Sequence, residues 1–224
     1  DRNGLLRGSR WTGQLRLSRG DAAAARVLAA RVAARIAPNT SVAFGFAQGA
    51  DGLVAQVQGH SAPAFYVARP PGDDFGFVRS GETSLALRQQ LGKYGLTLSA
   101  DRGHAASGTG RPFSNDGFGG NRRDGVTRMG ASLDRRFGAV ATALGASWLS
   151  EDRTVLGARM HDAFGAGGAD SLFLDANLAW PFAPGWRLGG AWRQGFTHAR
   201  SGGLIAPGSR LTSNAWSLDV ARGD

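Results

Sequence analysis

SLFLDANLAWPFAPGWRLGGAWRQGFT, residues 171–197, decides the fold. Along its first limb Leu172, Leu174, Ala176, Leu178 and Trp180 alternate with Ser171, Phe173, Asp175, Asn177 and Ala179. The second limb repeats the pattern. Trp186, Leu188, Gly190, Trp192 and Phe196 share one face, opposed by Arg187, Gly189, Ala191, Arg193 and Thr197. A period of two puts successive side chains on opposite sides of a sheet, so both limbs are strands. PFAPG at 181–185 supplies the turn between them. Each limb runs to about ten residues or more, nearer the ~9–11 that a tilted strand needs to cross a bilayer than the ~5–6 usual in soluble sheets. Trp180, Phe182 and Trp186 cluster at the turn, where an interfacial aromatic girdle would lie. A soluble hairpin also alternates. Limb length, a small or polar second face and terminal aromatics favour a membrane barrel.

Outward from this hairpin the alternation recurs. Residues 10–18 set Trp11, Leu15 and Leu17 against Gln14 and Arg16. Residues 22–37 are ambiguous. The alanine-rich run after Asp21 suits a capped helix, yet Leu28, Val32 and Ile36 also alternate with Arg31 and Arg35. Strand is the favoured reading, because Pro38-Asn39-Thr40 turns directly into 41–49, with Val42, Phe44 and Phe46 outward. Segments 84–91 and 94–101 flank the Gly92-Lys93 turn. Leu85, Leu87, Tyr94, Leu96 and Leu98 form their apolar face, with Arg88 and Asp101 opposite. Segments 126–134 and 139–149 form the next pair, with Met129, Leu133, Leu144 and Trp148 opposed to Asp134. Segment 211–220 ends the series, Trp216, Leu218 and Val220 facing away from Asp219. These are ten strands.

The connections sort into two kinds. Those at 38–40, 92–93, 135–138 and 181–185 are short; those at 50–83, 102–124, 151–170 and 198–210 are long. The first long one has room for a short hairpin around 53–58 and 64–68. Alternation of short and long connections is the habit of outer-membrane barrels, with periplasmic turns at one end and extracellular loops at the other. The expected class is therefore all-β, an antiparallel up-and-down transmembrane β-barrel. Residues 221–224, ARGD, have turn chemistry and lack a terminal aromatic. A further hairpin is expected beyond them, completing a barrel of about twelve strands and pairing the open edges at 10–18 and 211–220.

Composition agrees. The 224 residues are 42% hydrophobic, but no run of about 18 apolar residues is present to span a membrane as a helix. Thirty-five glycines suit turns and a crowded interior, and the absence of cysteine excludes disulfides and thiolate chemistry. A net charge of +9 would attract nucleic acid or anionic lipid. No RNA-binding signature or helix-turn-helix pattern accompanies it, so nucleic acid is not an expected partner. Starting at Asp1 without a charged-then-apolar leader, residues 1–224 are expected to be one barrel segment cut at both ends from a longer protein.

The inward-facing candidates are Gln14, Arg16, Arg31, Arg35, Arg88, Asp101, Asp134, Asp175, Asn177, Arg187, Arg193 and Asp219. The lipid-facing and girdle candidates are Trp11, Tyr94, Trp148, Leu174, Leu178, Trp180, Trp186, Leu188, Trp192, Phe196 and Trp216. Charges against lipid are costly, so the first set requires a wet or ion-paired interior. Two roles stay open for it: ion pairs that stiffen the wall, or a cationic surface that helps an unfolded chain or an anion pass. Catalysis has little support. His60, His104, His161 and His198 fall in the long connections without ligand or nucleophile–base spacing. Asp73-Asp74 and Glu151-Asp152 are expected to be solvated loop charge. No catalytic residue, metal site or cofactor is expected. A rim grouping of Asp170 with His161 rests on chance proximity alone.

GASWLSEDRTVLGAR (145–159), GADSLFLDA (168–176), LGGAWRQG (188–195) and GSRLTSNAWSLDV (208–220) resemble a known C-terminal region. It is that of autotransporter-like subtilisin-family (S8) serine peptidases of alphaproteobacteria, sphingomonads especially. The resemblance spans most of the chain and is firmest from about residue 84 onward. It implies an upstream peptidase passenger, an outer-membrane barrel, and the barrel-assembly machinery and outer-membrane lipid as partners. The peptidase Asp, His and Ser blocks have no counterpart here, so no catalytic residue carries over. The expected role is a translocator or anchor in the Gram-negative outer membrane. The alternatives are a soluble accessory sheet of the same peptidase, or an independent small porin or rim-active barrel enzyme.

Overall fold

The two limbs of the opening hairpin pair residue for residue, Leu172 opposite Phe196, Asp175 opposite Arg193 and Leu178 opposite Gly190. The register slips between Trp180 and Ala183, around Pro181, which has no N–H to give to the ladder. Gly185 closes this turn, as Gly92 closes its own, with positive φ of 72° and 60° that a side chain would strain. The structure is a computed structural model that describes residues 2–8, 10–19, 25–47, 49–58, 79–106, 123–159, 167–200, 206 and 208–222.

In chain order the elements are β1 (Arg2–Arg7), β2 (Trp11–Arg19), β3 (Ala25–Ala37), β4 (Thr40–Phe46), α1 (Ala50–Gln58), β5 (Arg79–Leu91), β6 (Tyr94–Ala106) and β7 (Arg123–Phe137). They continue with β8 (Val140–Glu151), β9 (Thr154–Val155), β10 (Ala158–Arg159), β11 (Ala169–Ala183), β12 (Trp186–Ala199) and β13 (Arg210–Arg222). β1 to β8 and β11 to β13 form one sheet of eleven strands, each hydrogen-bonded to the next in order, and β9 and β10 make a separate two-stranded hairpin. All pairings are antiparallel, an up-and-down arrangement.

All ten strands expected from the sequence are present, and β1 adds an eleventh. The N-terminal outer strand is thus 2–7 rather than 10–18. Its six residues, RNGLLR, are too short and too irregular to show a period of two. Within 22–37 the described part, β3, is a strand paired on both sides, to β2 and to β4. Two flanking ladders override the helix preference of its alanines. The hairpin expected around 53–58 is instead α1, while its partner at 64–68 lies outside the described residues. Ala50, Leu53, Val54 and Val57 recur at i, i+3, i+4 and i+7, one face of a helix. The described part of the connection at 151–170 contains β9 and β10.

The two faces differ sharply. Leu144, Trp216 and Leu218 are 64%, 75% and 69% exposed, whereas Ala143, Ser147 and Leu149, on the opposite side of β8, are buried. The outer face carries Phe44, Leu85, Leu98, Met129, Leu172 and Trp192 in one broad apolar band. The inner face carries α1. Leu53 sinks into a pocket of small inner residues, Ala33, Ala43 and Ala86, with Val54 and Val57 beside it. Toward the long-connection end a second inner cluster joins Ala105, Val126, Leu149 and Phe173 under Leu156.

If the outer band meets hydrocarbon, Leu178→Arg near the middle of β11 costs about 2–4 kcal/mol, and Asn177→Arg on the inner wall costs much less. Detergent-to-lipid refolding titrations of the two variants measure this, and equal tolerance would remove the membrane assignment.

Candidate functional site

The inner wall beneath α1 is built from small residues, and that is what admits the helix. At Gly45 a Cβ would come within 2.4 Å of Ser84 Oγ and 3.4 Å of the Leu53 side chain, so the glycine is required by close approach. Polar bonds then tie α1 across the interior. The Ala50 N–H donates to the Asp101 carboxylate of β6 at 2.9 Å. Arg31 of β3 donates to the Gly52 carbonyl at 3.3 Å. Gln56 Nε2 donates to the Thr12 hydroxyl of β2 at 2.9 Å, and Gln58 Nε2 to Ser132 Oγ of β7 at 3.0 Å.

Asp51 is the centre of an ionic belt. It accepts a very short hydrogen bond from Arg128 of β7, and Arg193 of β12 lies 3.8 Å away. Arg193 Nε donates to Asp175 at 2.5 Å while its guanidinium stands 5.6 Å over the Phe173 ring. Arg128 also approaches Asp101 at 3.9 Å. Arg128, Asp101 and Arg193 are only 3%, 3% and 7% exposed. Two guanidiniums therefore face three carboxylates where water barely reaches, an arrangement that is stable only because each charge has partners. A cavity of about 50 Å³ remains between α1 and the wall, lined by Gln58, Ser99, Ser132, Ser147 and Asn177 beside the belt. Closer to the short turns, Arg88 binds Asp134 through two bonds of 3.0 and 2.6 Å.

A second polar knot holds the long-connection rim. Glu151 is fully buried and accepts bonds of 2.7 Å each from Thr154 Oγ1, the Leu156 N–H and the Gly157 N–H. This carboxylate shapes the turn between β9 and β10 and so lays Leu156 on the inner apolar cluster. Arg200 spans the rim beside it, donating to both Asp170 oxygens at 3.0 Å and to Ser150 at 2.6 Å. The Asp170 hydrogen bond raises the Arg200 pKa above its ordinary value.

Arg31, Asp101, Asp175 and Arg193 converge on α1 and its belt, with Asn177 in the adjoining cavity. Arg88 and Asp134 form their own pair, and Arg35, Arg187 and Asp219 lie on the same face toward the short turns. Arg16 sits on β2 opposite Asn3 and Ala29. Trp11, Tyr94, Trp148, Leu174, Leu178, Trp180, Trp186, Trp192, Phe196 and Trp216 are exposed on the outer face, and Leu188 beside them is half-buried. Asp51, Arg128 and Glu151 are site residues that the sequence reading missed. Arg128 keeps step with Ser132 and Asp134 along β7, so alternation alone could have found it. No pattern marks Asp51, whose place depends on α1 folding inward. Glu151 corrects the reading of 151–152 as solvated loop charge: Asp152 is exposed, but Glu151 is buried. His104 and His198 lie in β6 and β12 rather than in loops, while His60, His161 and Asp73-Asp74 lie outside the described residues. Among the described residues no group of three His, Asp or Glu side chains is placed to hold a metal ion.

No family model and no curated protein matches the sequence. Solved structures are similar in fold. For OmpT of Vibrio cholerae, expressed in the outer membrane, the TM-score is 0.52 at 9% identity over 99% of this chain. The chain spans 65% of that protein's length. For a loop-L8 deletion mutant of the same protein the TM-score is 0.53 at 9% identity, over 95% of this chain and 75% of that one. At such identity the likeness is one of fold alone: an antiparallel up-and-down β-barrel.

Asp51→Asn leaves two buried guanidiniums short of a carboxylate and costs about 1–3 kcal/mol. Its signature is local, faster amide hydrogen exchange over 50–58 with protection in β11 and β12 unchanged. Leu53→Ala empties the alanine pocket and costs about 2–5 kcal/mol, measured by denaturant unfolding in detergent.

Proposed function

We propose that this chain is the membrane-embedded, non-catalytic barrel region of an autotransporter-like protein in the Gram-negative outer membrane, where it anchors an upstream subtilisin-type (S8) peptidase or passes it outward. The observation that carries the membrane part is the contrast between the faces. One face carries a broad band of exposed Leu, Phe, Met and Trp, and the other a wall of paired Arg and Asp. In water that band would be an apolar patch far larger than monomeric soluble proteins expose, which disfavours the soluble accessory sheet. In a bilayer it is the surface a barrel needs.

The anchoring role rests on the resemblance of 145–159, 168–176, 188–195 and 208–220, stretches that fall on β8 to β10, β11, β12 and β13. With α1 tied across the interior, the arrangement suits an anchor after transport better than an open conduit. Outer-membrane lipid, the peptidase passenger and the barrel-assembly machinery are the partners of this reading. A small porin is the second reading, favoured by the belt of opposed charges beside α1, which would screen small polar solutes. A rim-active enzyme has less support, since Asp170 is engaged by Arg200.

Fractionation of the full-length protein tests the proposal. The expected result is recovery in outer-membrane extracts with heat-modifiable gel migration, together with a peptidase portion that external protease removes from intact cells. Recovery in the soluble fraction would overturn the membrane part. A heat-modifiable barrel with no peptidase attached, conducting ions in planar bilayers, would replace the anchor with the porin.

A further inference from the structure

The short-turn end of the sheet carries a feature that neither the lumenal belt nor the rim uses. Two outward-facing rows of apolar residues end there in arginine: Met129, Ala131 and Leu133 lead to Arg135 on β7, and Trp216, Leu218 and Val220 lead to Arg222 on β13. Each arginine rests on aromatic rings of its own or the neighbouring strand. The Arg135 guanidinium stands 4.8 Å over the ring of Tyr94, its partner in register, and 4.4 Å over Phe137. Its Nη1 donates to the Tyr94 hydroxyl at 2.5 Å. Arg222 stands 5.7 Å over Trp186, again its partner in register. Among the described residues neither meets a carboxylate at ion-pair distance. Both differ in this from Arg88, Arg128, Arg193 and Arg200, which all bind aspartate.

A lone cation at the hydrocarbon centre is costly, but the cost falls to nearly nothing at the interface, where Trp and Tyr also settle. A guanidinium lying on a ring has its position fixed by the stack and keeps its edge for an oxyanion, and the guanidinium fork matches phosphate geometry. The surroundings are net positive as well. Arg35, Lys93, Arg136 and Arg187 belong to the same end against Asp219, while Asp134 is already bound by Arg88. Charge complementarity thus selects an anionic group at headgroup depth, on the leaflet that meets the short turns.

We propose that Arg135 on Tyr94 and Phe137, and Arg222 on Trp186, are seats for the phosphate of anionic phospholipid in that leaflet. The proposal rests on the membrane reading above and adds a lipid class and two binding positions to it. The two arginines, on strands four places apart in the sheet, act as paired clamps that orient the barrel by its short-turn rim.

The test uses the full-length protein, purified in mild detergent and exchanged into nanodiscs of phosphatidylethanolamine and phosphatidylglycerol in equal parts. Retained lipid is measured by native mass spectrometry after release, with unheated gel mobility recorded on the same samples. The expected result is enrichment of phosphatidylglycerol that falls about fivefold in Arg135→Gln and again in Arg222→Gln, which converts to ~1 kcal/mol for each stacked guanidinium. Arg135→Lys recovers part of the loss, because it restores charge without the planar stack. Lys93→Gln removes the same unit of charge from the adjacent turn and leaves the enrichment unchanged. Variants that keep compact unheated mobility yet retain wild-type phosphatidylglycerol overturn the proposal. An equal loss in Lys93→Gln also overturns it, since bulk charge would then be the cause. A wild-type protein with no compact unheated form overturns the membrane reading itself, and the proposal with it.

Discussion

Backbone pairing between neighbouring strands is the constraint on which everything else in this protein depends. A barrel in lipid has no water to satisfy its N–H and C=O groups, and each one left open costs several kcal/mol. Each strand of the large sheet is joined to its neighbour, mostly through hairpins of adjacent segments, and among the described residues only the outer edges of β1 and β13 have no ladder partner. Antiparallel pairing in fixed register then dictates where every side chain points, because one residue of slip would exchange the two faces. The apolar band and the charged wall are consequences of that register, and neither could exist without it.

Within the sheet, the helix α1 decides how the interior is used. It occupies the side where the wall is alanine and glycine, and from there Asp51 reaches two buried arginines of the opposite wall. The charges hold the helix in place, and the helix in turn excludes the water that would otherwise screen them. Burial makes such pairs costly to form and more costly to break singly. The belt is therefore better understood as a device that specifies one position for α1 than as a large net source of stability. Glu151 does comparable work at the rim, where one carboxylate gathers a hydroxyl and two backbone N–H groups and so positions β9 and β10.

Much of this was legible in residues met one after another. The alternation of Leu172 to Trp180 and of Trp186 to Phe196 predicted both strands and their faces, since a period of two depends on local geometry alone. The same rule covered Arg88, Asp101, Asp134, Asp175 and Arg193, and it would have covered Arg128. The rule has no purchase at 2–7, too short to show a period, or at 50–58, where Ala50, Leu53, Val54 and Val57 follow a helical spacing inside an otherwise irregular stretch.

Local alternation and turn chemistry dictate the all-β class, the order of the strands, the places of the short turns and the side of the sheet on which each alternating residue falls. All of these follow from contacts between chain neighbours or from hairpins of adjacent segments. Long-range packing is what sends α1 inward, sets Asp51 between Arg128 and Arg193, and buries Glu151 while Asp152 stays exposed. The contacts of α1 with the wall join residues 21 to 77 positions apart and more, and the burial of Glu151 depends on which way a turn closes. No local period encodes a meeting of that kind. It is settled by which charges are left to be paired once the wall has curved around the helix.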